Sequence, residues 1–334
     1  IKDINAILQQ NVNVIAPDDP KMSTFSGPDK RYLYPGNNEK YIHPEITDAM
    51  LMTNTNKGYS YNLSAALHMM PVKGLMASYT YTCSRTLSNN QSNQIDGAWK
   101  QEPSVQGANY LTLHNASYLY SPHRLIAEAS YAIRYADNYA TSVSLFYTGQ
   151  REGSYSYLYD NDMNNDGYIF DLMYIPSNSM ELNFQDQKVG DRIFTAAEQR
   201  DAFWAFVNQD PYLKKHKGEY AETNGAFLPW VNRIDLRLTQ DFRVKAGKTM
   251  NTLQFSVDIM NIGNLLNSYW GVSKSVRTNK LLNFKGVNAA NEPVYTMVTQ
   301  TNDGIVTLPS ETFMPNRLSG NCWQLQFGIR YIFN

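Results

Sequence analysis

The chain has 334 residues, a formal net charge of −1 and many tyrosines, 24 beside 14 phenylalanines and 5 tryptophans. A charge this close to zero provides no electrostatic footprint for nucleic acid, so no nucleic-acid partner is expected. The mean hydropathy is −0.47, and no apolar run reaches the roughly 18 residues that a membrane-spanning helix requires. Composition therefore excludes a helical membrane protein, but not a membrane barrel, in which only every second strand residue is apolar.

Eight segments are predicted to be β-strands because apolar residues occupy every second position. In chain order these are residues 4 to 14, 61 to 69, 75 to 83, 125 to 135, 141 to 147, 233 to 242, 253 to 259 and 323 to 333. The first has the weakest pattern. The pattern is clearest in the sixth segment, where Leu236 and Leu238 alternate with Asp235 and Arg237. The sequence therefore predicts an all-β protein.

The connections between these segments alternate between short and long. Residues 71 to 74, 136 to 138 and 245 to 249 form tight turns, whereas the long connections cover residues 15 to 57, 87 to 121, 151 to 228 and 264 to 319. Outer-membrane barrels have short periplasmic turns and long extracellular loops. The pattern predicts an antiparallel transmembrane β-barrel whose C-terminus lies in the periplasm.

A soluble all-β protein with one face in water is the alternative, because it predicts the same alternation. Two features favour the barrel. Aromatic residues lie near the ends of the strands, as a membrane-interface girdle requires, and charges such as Asp235 and Asp258 lie in mid-strand, where a wet lumen tolerates them.

Three segments carry a resemblance to a known family. They read WVNRIDLR at residues 230 to 237, LQFSVDIMNIGNLLN at 253 to 267 and GIRYIFN at 328 to 334. These resemble the C-terminal strands of TonB-dependent receptors, with the Oar-like and SusC-like branches as the nearest relatives. Residues 74 to 82, 122 to 124 and 155 to 157 also fit the Oar-like type.

The resemblance implies a 22-stranded outer-membrane barrel that is closed by an N-terminal plug and driven by the TonB complex. About eight strands would lie in this chain, while the plug and the TonB-interacting segment would lie outside it. The start carries no signal peptide, so we expect either that one was removed or that residue 1 lies inside a longer chain. A surface lipoprotein is a further expected partner. The final Asn334 departs from the terminal aromatic of many outer-membrane proteins.

An Asp-rich run is the candidate metal site. Oxygen-bearing side chains at Asp162, Asn164 and Asp166 are spaced by two, and Gly167 follows, as in loops that bind Ca²⁺. Met173 stands at the twelfth position, where a bidentate acid is expected. We include Asp160 and Asp171 as further ligands of one predicted Ca²⁺. The alternative is a solvated polar turn.

Aromatic side chains in the long connections are candidates for stacking on a sugar or peptide: Trp99, Tyr155, Tyr157 and Trp270. Thr195 and Glu198 form a capping box that predicts a helix to about residue 207, which would pack its loop. The five histidines lack metal-ligand spacing. Cys83 and Cys322 are predicted to be ordinary packing residues, since two cysteines make no disulfide framework.

These features favour two functions over a third. The first is a TonB-dependent importer of a peptide, glycan or similar large solute, which needs no covalent chemistry. The second is a structural or adhesion barrel whose loops bind a partner protein. An outer-membrane hydrolase is disfavoured because no nucleophile motif is present, and the chain is predicted not to be an enzyme.

Overall fold

A computed structural model describes residues 7–89, 99–115, 121–247 and 249–333. Seven long antiparallel strands form one sheet. They are β1 (Tyr59–Val72), β2 (Leu75–Ser88), β3 (His123–Tyr135), β4 (Tyr139–Arg151), β5 (Trp230–Ala246), β6 (Thr249–Met260) and β7 (Gln324–Phe333). Each pairs with its neighbours in the sequence, and the short strand His114–Asn115 adds to β2. The protein is mostly β-strand with antiparallel sheets, which confirms the all-β prediction.

The three predicted tight turns join β1 to β2, β3 to β4 and β5 to β6. Three residues, 136 to 138, separate the paired Tyr135 and Tyr139, and the chain reverses there with positive φ angles at Ala136 and Asp137. Gly74 has a φ of +88°, and a Cβ there would lie 2.5 Å from the carbonyl oxygen of Ala132. Only glycine fits this turn.

The sheet is open among the described residues, because its outer strands β1 and β7 each pair on one side only. The first predicted strand was assigned wrongly to this sheet. The strand found there, Ile7–Asn11, pairs instead with Met50–Asn54 as a separate two-stranded sheet. Residues 4 to 6 of that prediction lie outside the described residues.

The register gives the sheet two faces of opposite character, because directly opposed residues in antiparallel strands share a face. Leu236 stands opposite Leu145 on one side and Ile259 on the other, and Ile259 stands opposite Leu325. The apolar face, as we call it, contains these residues and those at every second position of all seven strands. Many of its large members are exposed, including Leu63 at 67%, whereas Leu236 and Ile259 are partly buried.

Aromatic residues are concentrated near both ends of the apolar face. At the tight-turn end, the rings of Tyr135, Tyr139, Phe242 and Phe255 follow one another with centroids 5.6 to 5.7 Å apart. At the opposite end lie the stacked pairs of Tyr59 with Tyr61 and of Tyr81 with His123, together with Tyr147 and Trp230. The band between these two ends is mainly aliphatic, although Phe327 lies within it opposite Val257.

The four long connections fold together rather than separately. Residues 7–57, 99–115, 152–229 and 261–323 are called the loop domain. At its centre is a four-stranded sheet, with the order Leu158–Tyr159, Lys280–Val287, Pro293–Met297 and Asn183–Phe184. The two outer pairings are parallel and the central one is antiparallel. This sheet joins two connections that lie more than 100 positions apart in the sequence.

Short paired strands and helical turns complete the loop domain. The paired strands are Ser23–Thr24 with Tyr32–Leu33, Ser154–Tyr155 with Ala226–Phe227, Tyr174–Ile175 with Glu219–Tyr220, Gln187–Val189 with Arg192–Phe194, Lys274–Val276 with Phe313–Pro315, and Gln300–Asn302 with Ile305–Thr307. The helices are α1 (Ala196–Gln209), α2 (Pro211–Lys215) and α3 (Ile262–Leu266), with 3-10 turns at Asn37–Lys40, Trp99–Gln101, Ala108–Tyr110 and Ser319–Asn321.

Helix α1 confirms the capping-box prediction. The side chain of Thr195 accepts a hydrogen bond from the backbone N–H of Glu198, 3.2 Å away, which satisfies one of the amides left unpaired at a helix start. Phe203, Phe206 and Val207 of α1 are buried in the loop core. The helix therefore packs its loop, as predicted.

Candidate functional site

The face opposite the apolar face is polar and carries ion pairs in mid-strand. Arg237 Nε lies 3.4 Å from the Asp258 carboxylate across β5 and β6. Asp241 pairs with Arg243 at 3.1 Å and accepts a hydrogen bond from Gln254 at 2.8 Å. Arg237, Gln254 and Asp258 border a concavity of about 530 Å³ that also includes Asp235, Gln326 and Arg330. Because both positive and negative side chains are present, this face can bind ligand groups of either charge.

A hydrogen-bond network around Asn261 fixes the loop domain to the sheet at the end of β6. The backbone N–H of Asn261 donates to Asp235 at 2.6 Å, and its side-chain amide donates to the carbonyls of Gly271 and Asn321. Arg233 reaches the same two residues. Gly271 has a φ of +64°, and a Cβ there would overlap the Asn261 side chain.

The center of the loop domain holds a buried charged cluster. Arg31 is fully buried, with Nε 3.1 Å from Asp29 and Nη1 3.5 Å from Asp171. Its guanidinium carbon lies 4.9 Å from the ring centroid of Tyr159 and 5.5 Å from that of Tyr220. Burial lowers the pKa of Arg31, but the neighbouring acids and Tyr159 raise it above its usual value. Arg31 therefore stays charged and joins residues 25 to 34 to the largest loop.

The predicted aromatic residues occupy different environments. Tyr157 is fully buried, donates to Asp210 at 2.8 Å and contacts Tyr155 edge to face. In this conformation Tyr157 packs the loop core and offers no surface to a ligand, while Tyr155 is partly buried against the same core. Trp270 is 57% exposed at the end of the sheet. The backbone of Trp99 lies in a 3-10 turn, and its side chain is outside the described residues.

Three of the five predicted Ca²⁺ ligands lie in one turn. Asp162 accepts hydrogen bonds from the backbone N–H groups of Asn165 and Gly167, and Asp166 accepts one from Tyr168 at 2.8 Å. The side-chain oxygen of Asn164 accepts from the N–H of Asp166 at 2.9 Å. The sequence pattern therefore forms a tight Asx-type turn with oxygen atoms grouped on it.

The other two predicted ligands are held by cations of the protein itself. Asp160 lies 3.7 Å from Lys280, and Asp171 pairs with Arg31. Lys40 donates to the carbonyl of Asp166 at 2.7 Å. Among the described residues, no three His, Cys, Asp or Glu side chains are grouped to hold a metal ion. Of the five predicted ligands, only the side chains of Asp162, Asn164 and Asp166 in the turn are not paired with a cationic side chain of the described residues. Metal binding by this turn stays a prediction.

The Asp-rich turn is electrostatically unbalanced despite these cations. Burial, followed by the charge of Asp162, raises the pKa of Asp166 to about 6. Burial also raises the pKa of Asp162, and it raises that of Asp171 well above its usual value even though Arg31 opposes the shift. Asp166 and Asp171 line the same narrow crevice with Lys100 and Glu102. A proton or another cation would relieve this repulsion.

Several residues of this region were missed from the sequence. Asp29 and Arg31 sit in a polar stretch with no periodic pattern, so nothing local indicates that Arg31 is buried. Asn261 lies in residues 253 to 267, one of the segments that resemble TonB-dependent receptors, and this resemblance was the only sequence feature that could have pointed to it. Cys322 was predicted to pack, but its side chain is exposed, whereas Cys83 is half-buried as expected.

No family model, curated protein or solved structure matches the chain. Within the described residues, no helix is both long enough and apolar enough to cross a membrane.

Proposed function

We propose that this chain is the C-terminal part of the wall of a transmembrane β-barrel in an outer membrane. One observation carries the proposal: the apolar face is exposed across all seven long strands. Soluble monomers rarely expose contiguous apolar patches larger than a few hundred Å². Lipid would cover this face, and the ionic groups of the opposite face would line a wet lumen.

The height of the apolar face supports this proposal. Trp230 and Phe242 mark its two ends on β5, twelve positions apart, which corresponds to roughly 40 Å along a strand at about 3.3 Å per residue. A strand tilt of about 40° reduces this to roughly 30 Å across the membrane. That span accommodates an apolar band of about 25 Å between aromatic girdles, as in outer-membrane barrels.

We further propose that the barrel is a TonB-dependent transporter that imports a peptide, glycan or similar large solute. Support comes from the sequence resemblance and from the hydrogen-bond network around Asn261, which includes residues of the resembling segments. Asp235 and Asn261 both belong to the resembling segments, and they hold the loop base together. The solute would bind between the loop domain and the polar face, and no covalent chemistry is required.

An adhesion barrel is the second candidate, favoured by the packed core of the loop domain. Loops that fold into one body can present a fixed surface to a partner protein without importing anything. Uptake separates the two functions. Cells expressing the full-length protein should accumulate labelled peptides or oligosaccharides inside the outer membrane, and a protonophore should abolish accumulation while leaving surface binding intact. Binding without energy-dependent accumulation for every solute class would favour adhesion and contradict transport.

A further inference from the structure

A group of exposed apolar side chains, called the lip, lies at the loop end of the apolar face and consists of Leu266, Tyr269 and Leu318. Leu266 is 75% exposed, Tyr269 81% and Leu318 67%. The segment bearing Tyr269 and Trp270 follows β6 and bends over the start of β5. It forms a concavity of about 390 Å³ with Trp230 and Ile234. Because Ile234 belongs to the apolar face, the lip continues that face at the level where the strands end.

Two cations lie beside this lip. Lys274 and Arg317 line a groove of about 470 Å³ with Tyr269. Lys274 and Tyr269 also line the concavity over Ile234, so the groove and the apolar face are continuous. Both cationic side chains are exposed. Neither makes an ion pair or side-chain hydrogen bond within the part of the chain that the structure describes.

The backbone holds the two cations together. Lys274 stands opposite Pro315 in the paired strands Lys274–Val276 and Phe313–Pro315. The N–H of Asn316 then donates to the carbonyl of Ser273 at 2.9 Å. Arg317 is the next residue, so both charges project from one fixed ribbon. No acidic side chain is among the groove residues.

This combination matches the chemistry of a phosphorylated lipid. Tyrosine and tryptophan favour the membrane interface because one end of the side chain is apolar and the other polar. Arginine and lysine bind phosphate, arginine through a planar fork of donors. We propose that the lip and groove bind the phosphate of an outer-leaflet lipid headgroup, with the lip among its acyl chains. This inference rests on the proposed function, because it requires the apolar face to meet lipid.

Lipid binding by the full-length protein, purified in a non-ionic detergent, tests the inference. The probes are diphosphorylated lipid A and the same lipid after removal of both phosphates, titrated by native mass spectrometry. The test variant is Lys274→Ser with Arg317→Ser. The matched control is Lys214→Ser with Lys215→Ser, which removes two exposed charges from α2.

The wild type and the control should bind the phosphorylated lipid about tenfold more tightly than the dephosphorylated one, and the test variant should lose this preference. Equal binding of both lipids by the wild type, or an unchanged preference in the test variant, would overturn the inference. Displacement of the lipid by equimolar inorganic phosphate would also overturn it, because the groove would then be a site for free anions.

A gel-shift assay of the folded barrel separates this inference from the proposed function. If both variants fold and insert like the wild type but show no change in lipid preference, only the headgroup inference fails. If the wild type neither inserts into outer membranes nor binds either lipid, the membrane-wall proposal fails with it.

Discussion

The large sheet exposes apolar side chains of the same kinds that the loop domain buries. Phe327 and Ile329 on β7 are each 72% exposed, whereas Phe203 and Phe206 on α1 are 2% and 1% exposed. Both regions are rich in aromatic and aliphatic residues, so composition does not explain the difference. The loop domain buries its apolar residues against one another. The apolar face depends on a surrounding medium, which we propose to be lipid.

The largest expected effect concerns the buried charge of the loop domain. Arg31→Met leaves the carboxylates of Asp29 and Asp171 buried without their cation, which costs about 3–5 kcal/mol for comparable broken pairs. Amide hydrogen exchange should accelerate in residues 151 to 228 while the strands stay protected. Lys188→Met, which removes an exposed charge from the same domain, serves as control. Unchanged exchange in the Arg31 variant would show that the cluster does not hold the loops.

The second prediction compares the two faces of β5. Leu236→Arg should cost roughly 2–4 kcal/mol if the side chain meets lipid near the bilayer midplane. Arg237→Leu should cost less than about 1 kcal/mol, because it removes one partly exposed ion pair with Asp258. The urea concentration at which the gel-shifted folded form disappears measures both effects. Equal tolerance at the two positions would contradict the assignment of the faces.

The sheet was largely predictable from the sequence because its signal is local. Alternation at every second residue places seven strands within a few residues of their observed ends, and the three tight turns separate them. The first strand was assigned to the wrong sheet because Ile7–Asn11 alternates weakly, and its partner Met50–Asn54 lies within a predicted loop. A strand pattern does not specify which strand it pairs with.

The loop domain could not be predicted in the same way. Arg31 contacts Asp171 across 140 positions, and Tyr159 lies against Tyr295 across 136. Such contacts depend on how the four long connections are arranged in space, and no periodic pattern in the sequence indicates them. Helix α1 was the exception, because the capping box of Thr195 and Glu198 is a local signal. Tyr157 was assigned to ligand binding because its burial could not be read locally.

A third, smaller effect should appear as a pH dependence of the loop domain. Because the folded state raises the pKa of Asp166 to about 6, folding is favoured when this group is protonated. The stability that protonated Asp166 contributes to the loop domain should be fully present below about pH 4, where the carboxyl is also protonated in the unfolded chain. It should be lost progressively as the pH rises through 6.

Protease resistance of residues 151 to 228 at pH 5 and pH 7.5, without added metal, measures this dependence. Asp166→Asn keeps an oxygen acceptor for the Tyr168 amide and should reduce the difference between the two pH values. Resistance that rises with pH in the wild type would contradict the proposed imbalance.

The smallest expected effect is that of Ca²⁺ on the Asp-rich turn. With no acid at the bidentate position, the predicted site should be weak, with Kd of roughly 10⁻⁴ to 10⁻³ M. At ten times the Kd, binding would stabilise the loop by about 1.4 kcal/mol. Limited proteolysis of the full-length protein should therefore cleave residues 151 to 228 faster in EGTA than in millimolar Ca²⁺, with the sheet intact in both. Identical cleavage in both conditions would indicate that residues 160 to 171 form a solvated turn that binds no Ca²⁺.

The accessibility of adjacent positions on β5 tests the central claim most directly. In a background of Cys83→Ser and Cys322→Ser, single spin labels at Leu238→Cys and Thr239→Cys would report their surroundings in lipid vesicles. The membrane-wall account predicts that the label at 238 collides mainly with oxygen dissolved in lipid, and the label at 239 mainly with a water-soluble nickel complex. The same water-dominated accessibility at both positions would contradict it.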